Sequence, residues 1–368
     1  MDIFEELGVR PYINAHDTYT VYGGSRMSPE AVEAMRQISR RFVDFDELQR
    51  RAGERIAALT HNEGAFVTNG ASGAILLATA VCLARGDAYR YMRLPKTDSR
   101  NEVILLCCQH NAYDKAVEAA GAKVVMIGDA DETTVEELAG AINENTAAVF
   151  FFPNIRYEFA GLPLETVIEI AHEKGVPVIV DAAAQLPPAE NLWKYTGMGA
   201  DMAIFSGGKT LCGPQDSGLI LGRAELIRDC LRFGAPAHGI CRSSKTSREA
   251  IAGLYTALKQ YVEKDHEAEA KALRAMVDAM AERLTEAGFR ARVVPWGPVG
   301  QTYPRVFAAP PEGIRAAALR DRMREDGVYI GVSERENEIC LSPLNLTEGE
   351  AETVIQKLIE HAVAAKEA

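Results

Sequence analysis

Short apolar segments alternate with helical segments from residue 64 to residue 221, and this alternation constrains the fold more than any other feature. Apolar runs bounded by small or polar residues predict strands at 65–68, 103–107, 123–127, 147–152, 176–180, 200–205 and 218–221. Helical spacing predicts helices between them at 74–83, 112–120, 134–142 and 164–173. Strands that alternate with helices in this way predict an α/β fold with a mostly parallel sheet and helices on both faces.

The flanking segments predict two further parts. Residues 1–27 read as irregular, whereas Ser28 and Pro29 predict the cap and first position of a helix over 28–42, followed by a helix over 46–60. A helical tract begins after residue 246, and the final third alternates strands at 291–294, 305–308, 328–332 and 339–341 with helices at 313–325 and 348–364. We therefore expect an N-terminal arm and helix over 1–45, a large domain over 46–250, and a small C-terminal α/β domain with its linking helix over 251–368.

Composition narrows the range of partners. The chain has 40 Lys and Arg against 52 Asp and Glu, and the net charge of −12 disfavours a nucleic-acid or anionic-membrane surface. A local basic pocket for a small anion remains compatible with this charge. The 7 cysteines include no Cys-x-x-Cys pair, so we expect no metal site. Free thiols, with no secretory signal and no membrane-spanning apolar stretch, lead us to expect a cytoplasmic protein.

A lysine follows the apolar run 202–205, in the order Ser206, Gly207, Gly208 and Lys209. Two glycines allow a sharp backbone turn and the close approach of a flat ligand. A lysine at the carboxyl end of a strand lies where open α/β sheets bind ligands, and burial can lower its pKa so that its amine attacks a carbonyl. A solvent-exposed loop lysine is the alternative that this stretch alone leaves open.

Three other features come at the ends of predicted strands. The turn Asn-Gly-Ala-Ser-Gly at 69–73 leads into a helix and can bind a phosphate through its N–H groups, although small residues also serve tight turns. His110 follows the next strand and can stack on an aromatic ligand or lie in an ordinary polar loop. Asp181 ends an apolar strand, where a carboxylate needs a cationic partner, hydrogen bonds or a helix to cap. Gln185 comes four residues later and can hydrogen-bond the same ligand.

Together, a phosphate-binding turn, a stacking ring, a strand-end aspartate and a strand-end lysine match the needs of pyridoxal 5′-phosphate. This cofactor requires a lysine for its aldehyde and an acidic partner for its ring nitrogen. The acid keeps the ring protonated, so that the ring accepts electrons from a substrate Cα. Each feature is weak alone, and their joint order, with 28 positions from Asp181 to Lys209, carries the inference.

The chain resembles the fold-type I pyridoxal-phosphate enzymes, and within them the selenocysteine synthase (SelA)-like group, which includes D-glucosaminate-type ammonia-lyases. The most specific stretches are DAAAQLPP at 181–188 and SGGKTLCGPQ at 206–215. Residues 13–15, 23–27, 67–71 and 238–242, together with Lys245, also fit. The resemblance covers nearly the whole chain. It implies the aspartate aminotransferase-like fold, with a cofactor-binding large domain and a smaller C-terminal domain.

By this resemblance, Lys209 forms the Schiff base with the cofactor and moves the proton at the substrate Cα. Asp181 pairs with the ring nitrogen, His110 stacks on the ring, and Gln185 reaches the phenolic oxygen of the ring. The resemblance assigns the cofactor phosphate to Gly70, Ala71, Ser72 and Ser206. It also implies three candidates for binding a carboxylate or phosphate of the substrate, namely Arg26, Arg242 and Lys245. It implies no metal ligand.

The resemblance implies a lyase that eliminates across the Cα–Cβ bond of a small amino acid or amino sugar acid, giving a 2-oxo acid and ammonia. The alternatives are an amino-acid racemase or epimerase, a selenium transferase-like enzyme, and a non-catalytic protein that binds a phosphorylated metabolite. Selenocysteine synthase has an additional N-terminal tRNA-binding domain, whereas this acidic chain starts close to the catalytic region, so we do not expect a tRNA substrate. Because fold-type I sites borrow residues from a second subunit, we expect at least a homodimer, with 23–26 and 213–215 at the contact.

Overall fold

The structure is a computed structural model that describes residues 2–97 and 99–366. These residues form two compact units. The larger unit is Arg26–Lys264, and the smaller unit joins the described residues up to Ser25 to those from Asp265 onward. No helix within these described ranges is long and apolar enough to cross a membrane.

The secondary structure follows the alternation that the sequence predicts. The strands are β1 (Ile13–Ala15), β2 (Gly64–Thr68), β3 (Glu102–Leu106), β4 (Lys123–Ile127), β5 (Thr146–Phe151), β6 (Val178–Asp181), β7 (Met202–Ser206), β8 (Gly218–Gly222), β9 (Arg290–Val294), β10 (Arg305–Ala309), β11 (Val328–Ser333) and β12 (Glu338–Leu341). The helices are α1 (Ile3–Leu7), α2 (Pro29–Ser39), α3 (Phe45–Leu59), α4 (Gly70–Ala84), α5 (Ala88–Arg93), α6 (Asp114–Ala119), α7 (Val135–Ala141), α8 (Leu164–Glu173), α9 (Asn191–Gly197), α10 (Ala224–Phe233), α11 (Arg248–Glu263), α12 (His266–Glu286), α13 (Ala316–Glu325) and α14 (Glu348–Lys366).

The larger unit is built on a seven-stranded sheet with the strand order β2-β8-β7-β6-β5-β3-β4. Neighbouring strands run parallel except where β8 pairs with β2 and with β7. All six residues of β5 and all four residues of β6 are buried. Strands covered on both faces carry apolar residues without alternation, which explains these continuous apolar sequences. The prediction of an α/β fold with a mostly parallel sheet is therefore confirmed.

Helices cover both faces of this sheet, so that alternate residues of one strand enter two separate apolar clusters. In β3, Ile104 and Leu106 pack with residues of α3, α8 and α11. Val103 and Leu105 of the same strand pack with residues of α4, α6 and α10. The two clusters pack against opposite faces of the sheet, and the polar residues lie at the ends of the strands.

Packing between α2 and α11 explains where the larger unit begins and ends. Ser28 caps α2 as predicted, with its Oγ accepting a hydrogen bond from the Ala31 N–H at 3.1 Å. Gly253 permits the close contact of the two helices, because a Cβ there would lie 3.0 Å from the Cγ of Met35. Both helices therefore belong to the larger unit, Arg26–Lys264.

The smaller unit has a five-stranded sheet with the order β1-β11-β12-β10-β9. β1 pairs in parallel with β11, from the far end of the chain. Residues 1–27 therefore contain a strand and the helix α1, although they were expected to be irregular. Three residues are too few to show the alternation of apolar and polar residues that predicts a strand. β1 is a strand because it pairs with β11. Residues of α12, α13 and α14 pack against the sheet in a third apolar cluster.

Candidate active site

The carboxyl ends of the parallel strands bring the predicted site residues to one edge of the sheet. Asp181 ends β6, Ser206 ends β7, and His110 follows β3 after a 3₁₀ turn. α4 begins at Gly70 directly after β2, which runs in the direction of β7 because both pair antiparallel with β8. Lys209 lies in the turn after β7. This is the edge at which open α/β sheets bind ligands.

Asp181 is a buried carboxyl group held by a backbone donor. The residue is 7% exposed, and its Oδ1 accepts a hydrogen bond from the Ala183 N–H at 2.9 Å. Burial raises the pKa of Asp181 to about 6, against the lowering effects of that hydrogen bond and of the Lys209 charge. A cation placed against this carboxyl group would offset the lost hydration of its ionised form. The site therefore favours a positively charged ligand atom at Asp181.

Backbone hydrogen bonds close the turn that carries Lys209. The Gly207 N–H donates to the Ser217 carbonyl, and the Gly213 N–H donates to the Gly207 carbonyl, both at 2.8 Å. The Cys212 N–H donates to the carbonyl of Lys209 itself at 2.9 Å. Lys209 is partly buried in this turn, and its charge acts on the carboxyl group of Asp181. The structure thus brings together the two residues on which the predicted chemistry most depends.

The two glycines before Lys209 serve the packing of the turn. Neither has a φ in the left-handed region, so the backbone conformation alone does not require glycine there. A Cβ at Gly207 would lie 2.0 Å from the Oγ of Ser217, and a Cβ at Gly208 would lie 2.6 Å from the Cα of Gln215. Close packing of the following loop therefore requires these glycines, rather than the sharp turn expected from the sequence.

The first turn of α4 offers unpaired backbone donors. Asn69 precedes the helix without capping it by a side-chain hydrogen bond, and the Oδ1 of Asn69 is buried without a partner. Gly70 has a φ of 74° and packs on β8, where its carbonyl carbon lies 2.3 Å from the position of a Cβ on Gly218. Since the amino end of a helix attracts anions, the N–H groups of Gly70, Ala71 and Ser72 can hold a phosphate.

Strand register places Ser206 near this helix start. Ser206 at the end of β7 lies opposite Gly218, and Gly218 in turn lies opposite Thr68 at the end of β2. Two strand spacings of about 4.8 Å therefore separate Ser206 from the residue that leads into α4. Ser206 is partly buried at this edge. Its predicted contribution to the phosphate site is compatible with this position.

Two of the three basic residues predicted to bind the substrate lie on or next to a segment that packs on the start of α4. The 3₁₀ turn Ile240–Ser244 contacts α4, and the Cβ of Ser244 lies 3.6 Å from the position of a Cβ on Gly73. Arg242 within this turn and Lys245 just after it are both exposed. Arg26 is exposed ahead of α2, on a different element. Arg242 and Lys245 therefore lie on or next to a turn that packs on α4, and their predicted contact with a substrate anion remains a prediction.

His110 is oriented by a residue that the sequence analysis missed. The His110 side chain is 61% exposed, and its Nδ1 is hydrogen-bonded to the Oδ2 of Asp114, whose side chain is 3% exposed. The Asn111 N–H donates to the same oxygen at 3.3 Å. A carboxylate at Nδ1 holds the proton there and fixes the orientation of the ring. The spacing of four residues at the start of a predicted helix was the signal that could have identified Asp114.

Gln185 is buried and connects two of the loops at this edge. Its Nε2 donates a hydrogen bond to the carbonyl of Pro153, which follows β5. The Asn191 Nδ2 donates to the Gln185 carbonyl at 2.6 Å. Gln185 therefore stabilises the loop after β5 through this hydrogen bond. Its contact with a cofactor remains a prediction. Among the described residues, no group of three or more His, Cys, Asp and Glu side chains is placed to hold a metal ion.

Known proteins match this chain in both sequence and structure. A family model described as SelA, L-seryl-tRNA selenium transferase, matches residues 18–294. The D-glucosaminate-6-phosphate ammonia lyase of Salmonella typhimurium is 29% identical over 375 residues, covering 98% of each chain. A solved structure of D-glucosaminate-6-phosphate ammonia-lyase matches with a TM-score of 0.87 and 28% identity, over 100% of this chain and 99% of that chain.

Two further matches widen the comparison. The 5′-C-glycyluridine monooxygenase-decarboxylase of a Streptomyces species is 32% identical over 333 residues, covering 87% of this chain and 81% of its own. A structure of SPT with PLP matches with a TM-score of 0.62 and 16% identity, over 97% of this chain and 89% of that chain. The second match shows the shared fold alone, which is that of the fold-type I pyridoxal-phosphate enzymes.

Proposed function

Because the chain belongs to the SelA family, it is a pyridoxal-phosphate-dependent enzyme of fold type I, and we propose that it is an ammonia lyase. The proposed substrate is a small amino acid or amino sugar acid. A proton leaves Cα, the β-hydroxyl leaves as water, and water is taken up when ammonia departs. The products are a 2-oxo acid and ammonia, and the reaction needs no oxidant or reductant.

The similarity to D-glucosaminate-6-phosphate ammonia lyase carries this proposal. That relative matches nearly end to end, in sequence and in structure. A match of this extent includes the larger unit with all of the candidate site residues as well as the smaller unit. We therefore propose a substrate of the same class, an amino sugar acid with or without a phosphate group.

The residues at the carboxyl edge fit pyridoxal 5′-phosphate. Lys209 would hold its aldehyde, and Asp181 would accept a hydrogen bond from its protonated ring nitrogen. His110 would stack on the ring, and Gln185 would approach its phenolic oxygen. The phosphate would be held by Gly70, Ala71, Ser72 and Ser206. The buried carboxyl group of Asp181 and the uncapped first turn of α4 are the two observations that support this fit.

When bound, the cofactor supplies an aldehyde for the substrate amine and a ring that accepts the electrons released at Cα. Lys209 is proposed to remove the Cα proton as an amine and to return it as an ammonium group. Asp181 would stabilise positive charge on the ring nitrogen, because a cation at this buried carboxyl group offsets the lost hydration of its ionised form. Asp114 holds the imidazole of His110 in a fixed orientation. Arg242 and Lys245, and from another element Arg26, would bind the anionic groups of the substrate.

We also propose a small-molecule substrate rather than a nucleic acid, at least a homodimer, and a cytoplasmic location. The net charge of −12 supports the first of these, since tRNA binding needs a positive surface. The family description favours selenium transfer as the second candidate function. Racemisation or epimerisation remains the alternative that would use the same proton transfer by Lys209.

Absorbance spectroscopy and product analysis test the proposal. Purified protein should show a visible absorbance band, and borohydride reduction should add a pyridoxyl group to the peptide that contains Lys209. Lys209→Ala should abolish this attachment, whereas Lys194→Ala, at a surface lysine of α9, should retain it. D-Glucosaminate and its 6-phosphate should each be tested for ammonia release and for a 2-oxo acid.

Each alternative has a distinct outcome in the same experiments. Exchange of deuterium into Cα without release of ammonia would indicate a racemase or epimerase. Turnover of seryl-tRNA would indicate a selenium transferase. A colourless protein that takes up no cofactor would indicate a non-catalytic binding protein and would refute the enzymatic assignment.

A further inference from the structure

A cavity of about 550 Å³ lies at the opposite edge of the larger unit's sheet, where the parallel strands begin. Its lining includes Cys82 and Arg85 at the end of α4, Pro177 before β6, Asp201 before β7, and Asp229 on α10. β6 starts beside this cavity and ends at Asp181, and its four residues span about 10 Å. The volume is within the range of small-molecule sites. The buried strands therefore separate this cavity from the candidate active site.

One wall of the cavity is a fixed ionic cluster centred on Asp201. The residue is 4% exposed, and its Oδ2 pairs with the Nε2 of His172 at 2.8 Å and accepts the Val178 N–H at 2.7 Å. Its Oδ1 lies 3.1 Å from the Nε of Arg223. Contacts with His172, Val178 and Arg223 hold Asp201 in place, so the cavity has a defined polar wall.

Arg85 supplies a positive charge that no carboxylate neutralises among the described residues. Its Nη2 donates to the Thr146 carbonyl at 3.5 Å, and the Nε of Arg100 donates to the same oxygen at 3.4 Å. Burial and the neighbouring charge of Arg100 lower the pKa of Arg85. Two guanidinium groups that share one carbonyl and repel each other would be stabilised by an anionic group.

Acidic groups from α10 also line the cavity. The Oδ2 of Asp229 lies 3.6 Å from the position of a Cβ on Gly86, and Glu225 also lines the cavity. Burial raises the pKa of Asp229, against the opposing charges of Arg232 and Arg228. Cys82 also lines the cavity, and the pKa of its thiol is raised by burial and by Asp201 and Asp229 and is lowered by Arg85.

We propose that this cavity is a binding site for a small zwitterion of the amino-acid class, with its carboxylate at Arg85 and its ammonium group at Asp229. A simple anion would be repelled by Asp229 and Glu225, and a simple cation would be repelled by Arg85. A ligand with both charges can meet the opposite charges of Arg85 and Asp229 at once. The site is separate from the cofactor-binding edge, and the proposal does not depend on the reaction catalysed there. An enzyme of amino-acid metabolism would thereby acquire a second amino-acid contact, distant from its chemistry.

Binding of N,N-dimethylglycine to the holoenzyme tests this inference. This probe keeps both charges, and its tertiary nitrogen cannot condense with an aldehyde, so it does not compete for the cofactor. Titration calorimetry should detect dimethylglycine, with acetate and trimethylammonium each binding at least about tenfold more weakly, as expected from the loss of one ionic contact. Arg85→Gln and Asp229→Asn should each weaken dimethylglycine binding by about tenfold or more.

Matched variants keep the result interpretable. Arg50→Gln and Asp131→Asn change exposed charges of the same unit outside the cavity, and both should leave binding unchanged. Arg85→Lys retains the charge and should restore part of the affinity lost in Arg85→Gln, which separates ligand contact from a folding defect. Absence of dimethylglycine binding would overturn the proposal. So would binding no tighter than that of acetate, or binding that persists in both Arg85→Gln and Asp229→Asn.

Discussion

Substituting Asp181 by Asn should change the stability of the cofactor-free protein and the retention of the cofactor in opposite directions. In the folded protein, burial raises the pKa of Asp181 to about 6, against an ordinary value of 3.8. At 1.36 kcal/mol per pKa unit, keeping this carboxylate ionised at pH 8 costs about 3 kcal/mol of folding free energy. Asp181→Asn removes this cost, since an amide does not ionise.

The sign follows from proton binding. Between about pH 4 and pH 6 the folded protein binds more protons at this site than the unfolded chain, so the stability that Asp181 confers falls as pH rises. About half of the cost is already present at pH 5. The wild-type protein should therefore lose about 1.5 kcal/mol more stability than Asp181→Asn between pH 5 and pH 8. In the loaded enzyme, Asp181→Asn should weaken cofactor retention by about 10- to 100-fold, through loss of a charged hydrogen bond.

Urea unfolding of cofactor-free protein measures this difference. The chain has two tryptophans, and a Trp296→Phe background leaves Trp193 in α9 to report on the larger unit. Asp216→Asn, in the exposed loop after Lys209, is the matched control and should behave like wild type. Equal losses of stability in wild type and Asp181→Asn between the two pH values would refute the account of a desolvated carboxyl group at this position.

Three further predictions test the packing and polar contacts around the sheet. Asp114→Asn should lower kcat/KM by about tenfold, because the imidazole ring of His110 loses its fixed orientation, and His110→Ala should lower kcat/KM further. Steady-state kinetics measure both effects, and a loss of activity in His110→Ala alone would contradict the orienting role of Asp114. Gly208→Ala should destabilise the larger unit by about 1–3 kcal/mol in urea, since its Cβ would meet a backbone atom of the next loop, whereas Gly197→Ala, with open space around it, should shift stability by less than about 1 kcal/mol. Asp201→Asn should cost about 2–4 kcal/mol in the same assay and should leave the cofactor absorbance of the folded protein unchanged.

Sequence patterns predicted the elements whose signals are local. β4 and α8 have the predicted bounds, because each is an apolar or amphipathic run between clear breaks. The order of strands and helices was enough to bring Asp181, Ser206 and Lys209 to one edge, since the carboxyl ends of parallel strands meet there. The joint order of these residues therefore identified the candidate site before any distance was known.

Features that depend on distant partners were not predictable in this way. β1 forms because β11 pairs with it, and no signal within three residues announces this pairing. The helix α10 also went unpredicted, although Ile227, Cys230 and Phe233 are buried at helical spacing. The ionic wall at Asp201 combines side chains from three separate elements, and their order in the chain does not bring them together. Asp114 differs from these cases. It follows His110 by four residues in the sequence, but this spacing was not interpreted as a contact between the two side chains.

Two aspartates on neighbouring strands show how the structure separates a functional carboxylate from a structural one. Asp201, just before β7, has His172, Arg223 and a backbone N–H as partners, so its charge is satisfied within the fold. Asp181, at the end of β6, has a backbone N–H, and burial raises its pKa. A buried carboxyl group without enough donors is costly to the folded protein, and a ligand that brings the missing positive charge recovers that cost. Asp181 therefore marks the edge of the sheet where we propose that the cofactor binds, although both aspartates are buried.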